Sequence, residues 1–197
     1  MTSIEQGKFS RPLAKILELE EHNFGKPGSG IVGSLNDDNI KSRCMRLDDG
    51  KAEADLITLE MIPNDMYAPL GEITDRTDDT FSGNLNQILE YLLSNTRATV
   101  VILIAPRGRY NYKNPEQKYT PYSEETQKRI LWEKRVEEIA FMHGVPCFNG
   151  ASEGGLGFYR VDGNFDYVKD QIHLTDKGGE ILAKYFAGRL LTLYPEE

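Results

Sequence analysis

The sequence predicts an α/β fold, a three-layer α/β/α sandwich around a parallel sheet, and three observations carry that expectation. Two segments, DLITLEMI (55–62) and ATVVILIAP (98–106), are apolar and rich in β-branched residues. That is the pattern of strands buried on both faces of a parallel sheet. Strand-like segments alternate with helical ones along the chain, the order of a sheet with right-handed crossovers and helices on its faces. The 197 residues are 39% hydrophobic and 27% charged, which fits one globular domain over the whole chain with a real core.

The remaining elements follow in order. VPCFN (145–149) reads as a shorter strand, and EHNFG (21–25) as another candidate. FSRPLAKILEL (9–19) reads as a helix with Pro12 near its start, where proline is tolerated. TFSGNLNQILEYLLSN (80–95) places Leu85, Ile88, Leu89 and Leu92 on one helical face. YSEETQKRILWEKRVEEIAFMHG (122–144) is expected to turn Ile130, Val136, Ile139 and Phe141 inward and to stop at Gly144. Trp132 reads as core. A last helix follows Thr175 and uses Ile181, Leu182, Tyr185, Phe186 and Leu190. Two irregular stretches, 107–121 and 150–169, are long for a compact domain, and such loops are often functional.

Charge and composition exclude several classes of protein. The formal charge of −8 argues against a nucleic-acid or anionic-membrane surface. No apolar run approaches the roughly 20 residues that span a bilayer. The opening MTSIEQGKFSRPLAKILEL has no signal-peptide core, so the expectation is a soluble chain, cytoplasmic or secreted with its leader removed. Cys44 and Cys147 share no motif spacing and read as two reduced thiols, too few for a disulfide framework or a zinc site.

Candidate chemistry begins with the three histidines. His22, in EEHN, reads as a helix end or early strand, and His143, in FMHGVP, as a helix C-terminus explained by the macrodipole and the glycine stop. His173 differs, because DQIHLTDKGG (170–179) puts Asp170 within local reach just before the last helix. A carboxylate there can fix the imidazole tautomer and leave the other ring nitrogen to take a proton.

Asn64 stands where a buried strand ends, in LEMIPNDMYAPLGE (59–72). Its amide can donate to a developing oxyanion, or the residue is an ordinary Asx turn. In HNFGKPGSGIVGS (22–34), the Asn-x-Gly-x-x-Gly run ends at Gly28, and glycine lets a backbone amide approach a ligand closely. No Lys-Ser/Thr follows these glycines as in a phosphate loop. Arg107, Arg109, Tyr110 and Tyr112 follow the strand 98–106 and are candidates for holding a polar or sugar-like substrate, a solvated loop being the alternative. Asp65 is a further candidate for substrate contact. Phe158, Tyr159 and Phe165 are candidates for shaping an acyl pocket.

Taken in order, these blocks resemble the SGNH hydrolases, also called the GDSL lipase/esterase family. That family carries Gly-Asp-Ser near its N-terminus, a glycine after the second strand, Gly-x-Asn-Asp after the third, and Asp-x-x-His before the last helix. Gly28 sits where the second block belongs, Asn64-Asp65 resembles the third, and Asp170 with His173 resembles the last. DLITLEMIPNDMYAPLGE followed by DTFSGNLNQILEYL also resembles bacterial and prophage-type members. The resemblance covers nearly the whole chain.

It implies a flavodoxin-like fold and a serine hydrolase of carboxylic esters, acetyl groups on a carbohydrate being one option, with no metal or cofactor. The implied triad is Ser3, His173 and Asp170. The implied oxyanion hole is the amides of Ser3 and Gly28 with the Asn64 side chain. The implied partner is a small-molecule or glycan ester. Met1 and Thr2 replace the family's Gly and Asp, and Ile62 replaces the glycine of the third block. The family's first strand, which ends in the nucleophile, is expected to be missing or truncated. Ser10, Ser29 and Ser34 are the other serines near the early blocks. A sheet lacking that strand leaves room for strand exchange between two copies, hence a homo-oligomer. Two other readings stay open here: a degenerate SGNH-like domain that binds a glycan or protein partner, and a flavodoxin-like nucleotide binder based on the glycine-rich loop.

Overall fold

A computed structural model of the chain describes residues 8–33, 37–46, 53–61, 64–106, 122–156, 167 and 173–194. The elements run α1 (Ser10–Ile16), α2 (Ile40–Cys44), β1 (Leu56–Met61), α3 (Phe81–Asn95), β2 (Thr99–Ile104), α4 (Glu124–His143), β3 (Cys147–Asn149) and α5 (Asp176–Leu191). The strands form a three-stranded parallel sheet in the order β1-β2-β3. β1 and β2 pair in register from Leu56 opposite Thr99 to Met61 opposite Ile104. This is the α/β fold that the alternating strands and helices predict.

Contacts divide the chain into two compact units. The first comprises Met1–Pro27, Ala105–Gln127 and Phe148–Glu197, the second Gly28–Ile104 and Lys128–Cys147. The second unit holds β1, β2 and α3. Along β2, Val100 to Ile104 are all buried, as both faces of a central strand should be. β1 departs from the expectation of burial on both faces. Leu59 and Met61 are buried, but Thr58 and Glu60 are exposed. The difference is positional, because β1 is an edge strand among the described residues and β2 is not.

The apolar face expected of α3 is the one observed, with Leu85, Ile88, Leu89 and Leu92 all buried. Thr80 caps the helix by accepting from the Gly83 amide at 3.1 Å. Ser82, Asn84 and Asn86 of α3 are buried as well. Ser82 donates to the Leu70 carbonyl (2.7 Å), Asn84 to those of Asp78 and Thr80 (both 2.7 Å), and Asn86 to those of Ile73 (2.8 Å) and Asp75 (3.0 Å). These bonds tie the irregular 69–80 segment to the helix.

In α4, Val136 and Ile139 are buried and Ile130 half-buried, but Phe141 is 87% exposed. Phe141 is two residues beyond Ile139, about 200° around a helix of 3.6 residues per turn, so both cannot face inward. The buried face is instead Arg129, Trp132, Glu133, Val136, Ile139 and Ala140. Trp132 is core, as expected. Gly144 ends the helix region at φ +66, the left-handed stop the sequence predicts.

In the first unit, α1 packs on α5, with the rings of Phe9 and Phe186 5.5 Å apart. EHNFG is not a strand. Asn23 accepts from the Gly25 amide at 2.8 Å and donates to Ser10 and Glu21 at 3.2 and 3.3 Å. These local side-chain bonds offer the backbone an alternative to a ladder. Just after α1, Glu18 adopts φ 54, where glycine is the unstrained residue.

Leu89→Ala is expected to lower stability by about 2–5 kcal/mol, the range for emptying a closed apolar site. Glu18→Gly is expected to raise it by up to about 1 kcal/mol through relief of backbone strain. Urea midpoints of the two variants check both signs.

Candidate functional site

Within the second unit, the end of β1 holds the glycine-rich segment by hydrogen bonds from several directions. Asp65 is 5% exposed. Its Oδ1 accepts from the Ile31 amide at 2.7 Å and the Val32 amide at 3.3 Å. The side-chain amide of Asn64 donates to the Ser29 carbonyl at 3.0 Å. The Ile40 amide donates to the Gly30 carbonyl at 2.8 Å. A Cβ on Gly30 would lie 2.3 Å from Asp65 Oδ1, so a side chain there would displace the carboxylate that holds the loop amides. Gly28 has φ +72, and nothing stands within 4 Å of where its Cβ would be.

Two sequence expectations thus meet in one place, the Gly28 loop and the Asn64-Asp65 block. The Asx-turn alternative for Asn64 is not what forms, because its side chain reaches a carbonyl 35 positions earlier. One N–H of its amide is used on Ser29, and the second makes no hydrogen bond among the described residues. Asp65, a candidate for substrate contact, instead has its carboxylate on loop amides. Burial pushes the Asp65 carboxyl up, and the Ile31 and Val32 amides pull it partly back.

A charged cluster near the same strand end went unrecognised in the sequence. Glu60 stands on β1, four residues before Asn64. Its side chain keeps contact with solvent, yet the surrounding protein pushes its carboxyl up to about 7, with the Arg129 charge acting against the rise. Arg129 donates to Glu133 at 3.2 Å within α4, both being nearly buried. The available signal was one carboxylate inside the apolar run LITLEM.

In the first unit, His173 is half-buried and lies two residues before Thr175, the N-cap of α5. Thr175 accepts from the Gly178 amide at 3.1 Å, and its own amide donates to the Tyr167 carbonyl at 2.9 Å. A Cβ on Gly178 would lie 2.1 Å from the Tyr167 carbonyl oxygen, and one on Gly179 would lie 2.1 Å from that of Lys8. Lys8 also pairs with Asp176 in the first turn of α5. Lys8 therefore packs on the helix that His173 introduces. Ser3, Asp170, Arg107, Arg109, Tyr110 and Tyr112 lie outside the described residues, as do Phe158, Tyr159 and Phe165.

The other two histidines have ordinary settings. His22 is exposed beside Glu20, at 3.3 Å. His143 ends α4, with Nε2 2.9 Å from Asn86 Oδ1. Its pKa is lowered chiefly by burial, with Arg76 adding to the fall and Glu90 opposing it. Burial therefore outweighs the macrodipole, which alone would favour the cation. Cys44 and Cys147 are not joined in a disulfide. Among the described residues, no group of acidic, His and Cys side chains could hold a metal ion, and no helix is long and apolar enough to cross a membrane.

Solved structures share this fold, that of the SGNH hydrolases. A protein from Lactobacillus plantarum aligns with a TM-score of 0.76 at 20% identity, over 92% of this chain and 86% of that one. A carbohydrate acetylesterase from Sinorhizobium meliloti aligns at 0.61 and 14%, over 96% and 85%. A catalytic mutant of an acetylxylan esterase from Geobacillus stearothermophilus aligns at 0.63 and 14%, over 98% and 88%. No curated protein sequence matches the chain. A family model described as GDSL-like lipase/acylhydrolase matches residues 8–186, and the chain belongs to that family. It is thus an esterase or acylhydrolase. The matched span contains Gly28, Asn64, Asp170 and His173 and begins after Ser3.

Asp65 makes stability depend on pH in a definite direction. Its folded pKa lies above the unfolded value of about 3.9, so the folded state binds the proton more tightly. The stabilisation is complete below that value and is lost as pH rises through the folded pKa. Asp65→Asn cannot titrate, so the stability of wild type relative to this variant should fall from pH 3.5 to 7. Urea midpoints across that range measure it, and a flat or rising difference would contradict the desolvated carboxyl.

Proposed function

We propose that the protein cleaves acyl esters, acetyl esters of a carbohydrate being the preferred class, by a Ser3–His173–Asp170 triad in a single domain. The observation that carries the reading is Asn64, bound to the glycine-rich loop through one N–H with the second open. Paired with the Gly28 amide, that N–H suits the oxygen of a tetrahedral intermediate.

Ser3 Oγ attacks the ester carbonyl while His173 takes its proton, and Asp170 holds the imidazole in the required tautomer. The oxyanion is received by the Ser3 and Gly28 amides and the Asn64 side chain. His173 then returns the proton to the departing alcohol. Water, activated by the same imidazole, releases the acid and restores Ser3. Arg107, Arg109 and Tyr110 would hold the alcohol portion. The carbohydrate preference is supported by the names of the neighbours from Sinorhizobium meliloti and Geobacillus stearothermophilus.

Asn64→Ala is expected to lower kcat on p-nitrophenyl acetate by roughly 10²–10³, the usual effect of removing one oxyanion donor, with the protein still folded. A fluorophosphonate should label Ser3, shown by peptide mapping, and the label should vanish in His173→Ala. A label on another serine would move the nucleophile, and no label on folded protein would overturn the triad. Release of acetate from acetylated xylooligosaccharides, compared with hydrolysis of longer acyl esters, tests the substrate class.

A further inference from the structure

Ser29 is gripped from two sides. Its carbonyl accepts from Asn64 at 3.0 Å, and its hydroxyl accepts from Arg43 at 2.8 Å. The other arm of the Arg43 guanidinium donates to the Asp38 carbonyl at 2.9 Å and the Asp38 carboxylate at 3.0 Å. Arg43 is 15% exposed, and its planar fork spans three acceptors at once, which a lysine cannot do.

The helix that carries Arg43 is itself well anchored. In α2, Asn39 and Ser42 form a reciprocal capping box. Lys41, 1% exposed, pairs with Asp78. Gly28, next to Ser29, has φ +72, and a Cβ there would meet nothing within 4 Å. Its backbone is therefore placed through its chain neighbours, and Ser29 is the one of them that Arg43 and Asn64 hold. Ser29 bears on Asn64 too, since the bond between them decides where the second N–H of Asn64 points.

We infer that Arg43 is a positioning residue: acting through Ser29, it aims the Gly28 amide and the second Asn64 N–H at the developing oxyanion. The inference rests on the oxyanion role proposed above. Donors fixed in advance matter most in the transition state, so the effect belongs in kcat rather than KM. Arg43 touches no substrate in this scheme.

The test is a double-mutant cycle on p-nitrophenyl acetate, using Arg43→Met, Arg43→Lys, Ser29→Ala and the Arg43→Met/Ser29→Ala pair, with melting curves for each. Arg43→Met and Ser29→Ala should each lower kcat by about 10- to 100-fold with KM within about twofold, as misaligned donors do. The pair should be no worse than either single change, since both break one link. Arg43→Lys should fall with Arg43→Met, because charge without the fork does not restore the link.

Wild-type kcat in Arg43→Lys would overturn the inference, since charge alone would then suffice. Additive losses, or an effect confined to KM, would overturn it as well. If Arg43→Met does not fold, Ser29→Ala removes one atom and carries the same expectation. Asn64→Ala run in parallel separates the two levels of argument. An inactive Asn64→Ala beside a fully active Ser29→Ala removes only the role of Arg43, whereas a fully active Asn64→Ala removes the oxyanion assignment itself.

Discussion

The buried carboxylate of Asp65 organises the second unit's candidate chemistry. A loop with glycines at 25, 28, 30 and 33 has little of its own to hold it, since glycine loses more conformational entropy on ordering than any other residue. Asp65 offsets that cost by giving two of the loop's amides a charged acceptor in a dry setting, where such bonds are stronger than neutral ones. Removing a carboxylate from water raises the free energy of its charged form, and the upward pKa shift records that cost. Asn64 can reach the Ser29 carbonyl because Asp65, its neighbour, already fixes the loop.

Much of this was legible in the sequence, for identifiable reasons. β1 and β2 announce themselves by β-branched runs, and α3 by apolar spacing, because burial of those faces is what stabilises them. The glycine at 28 and the Asn-Asp pair at 64 and 65 were readable as separate features. Their meeting was not, as it depends on hydrogen bonds between positions more than 30 apart. Arg43 carried no signal for the same reason, being one charge on a short helix with no apolar period. EHNFG misled because strand propensity does not register the bonds that Asn23 makes to its own neighbourhood. Phe141 is apolar, yet its helical angle turns it away from the face that Ile139 buries.

The open second N–H of Asn64 and the half-buried His173 belong to separate units, and each is intelligible alone. One is a donor whose direction is set by the loop it binds. The other is an imidazole at the threshold of α5, on a segment whose neighbours are tied to the helix by the Thr175 cap and the Tyr167 carbonyl. Membership of the acylhydrolase family supplies the chemistry that would employ both. It also ranks ester hydrolysis above the nucleotide-binding reading of the glycine-rich loop.

The two glycines at the start of α5 bear on protein engineering. Replacing helical glycine by alanine is a standard way to stabilise a protein, worth roughly 0.4–1 kcal/mol where the backbone permits it. At Gly178 and Gly179 that substitution would drive a methyl group into the carbonyls of Tyr167 and Lys8. Those carbonyls lie on the two stretches of chain that lead to Asp170 and Ser3. The helix start acts as a spacer of fixed gauge, and its missing methyls set how near those stretches can come. A thermostability library that treats these positions as ordinary helical glycines would push those carbonyls apart, and alanine at either would cost stability instead of adding it.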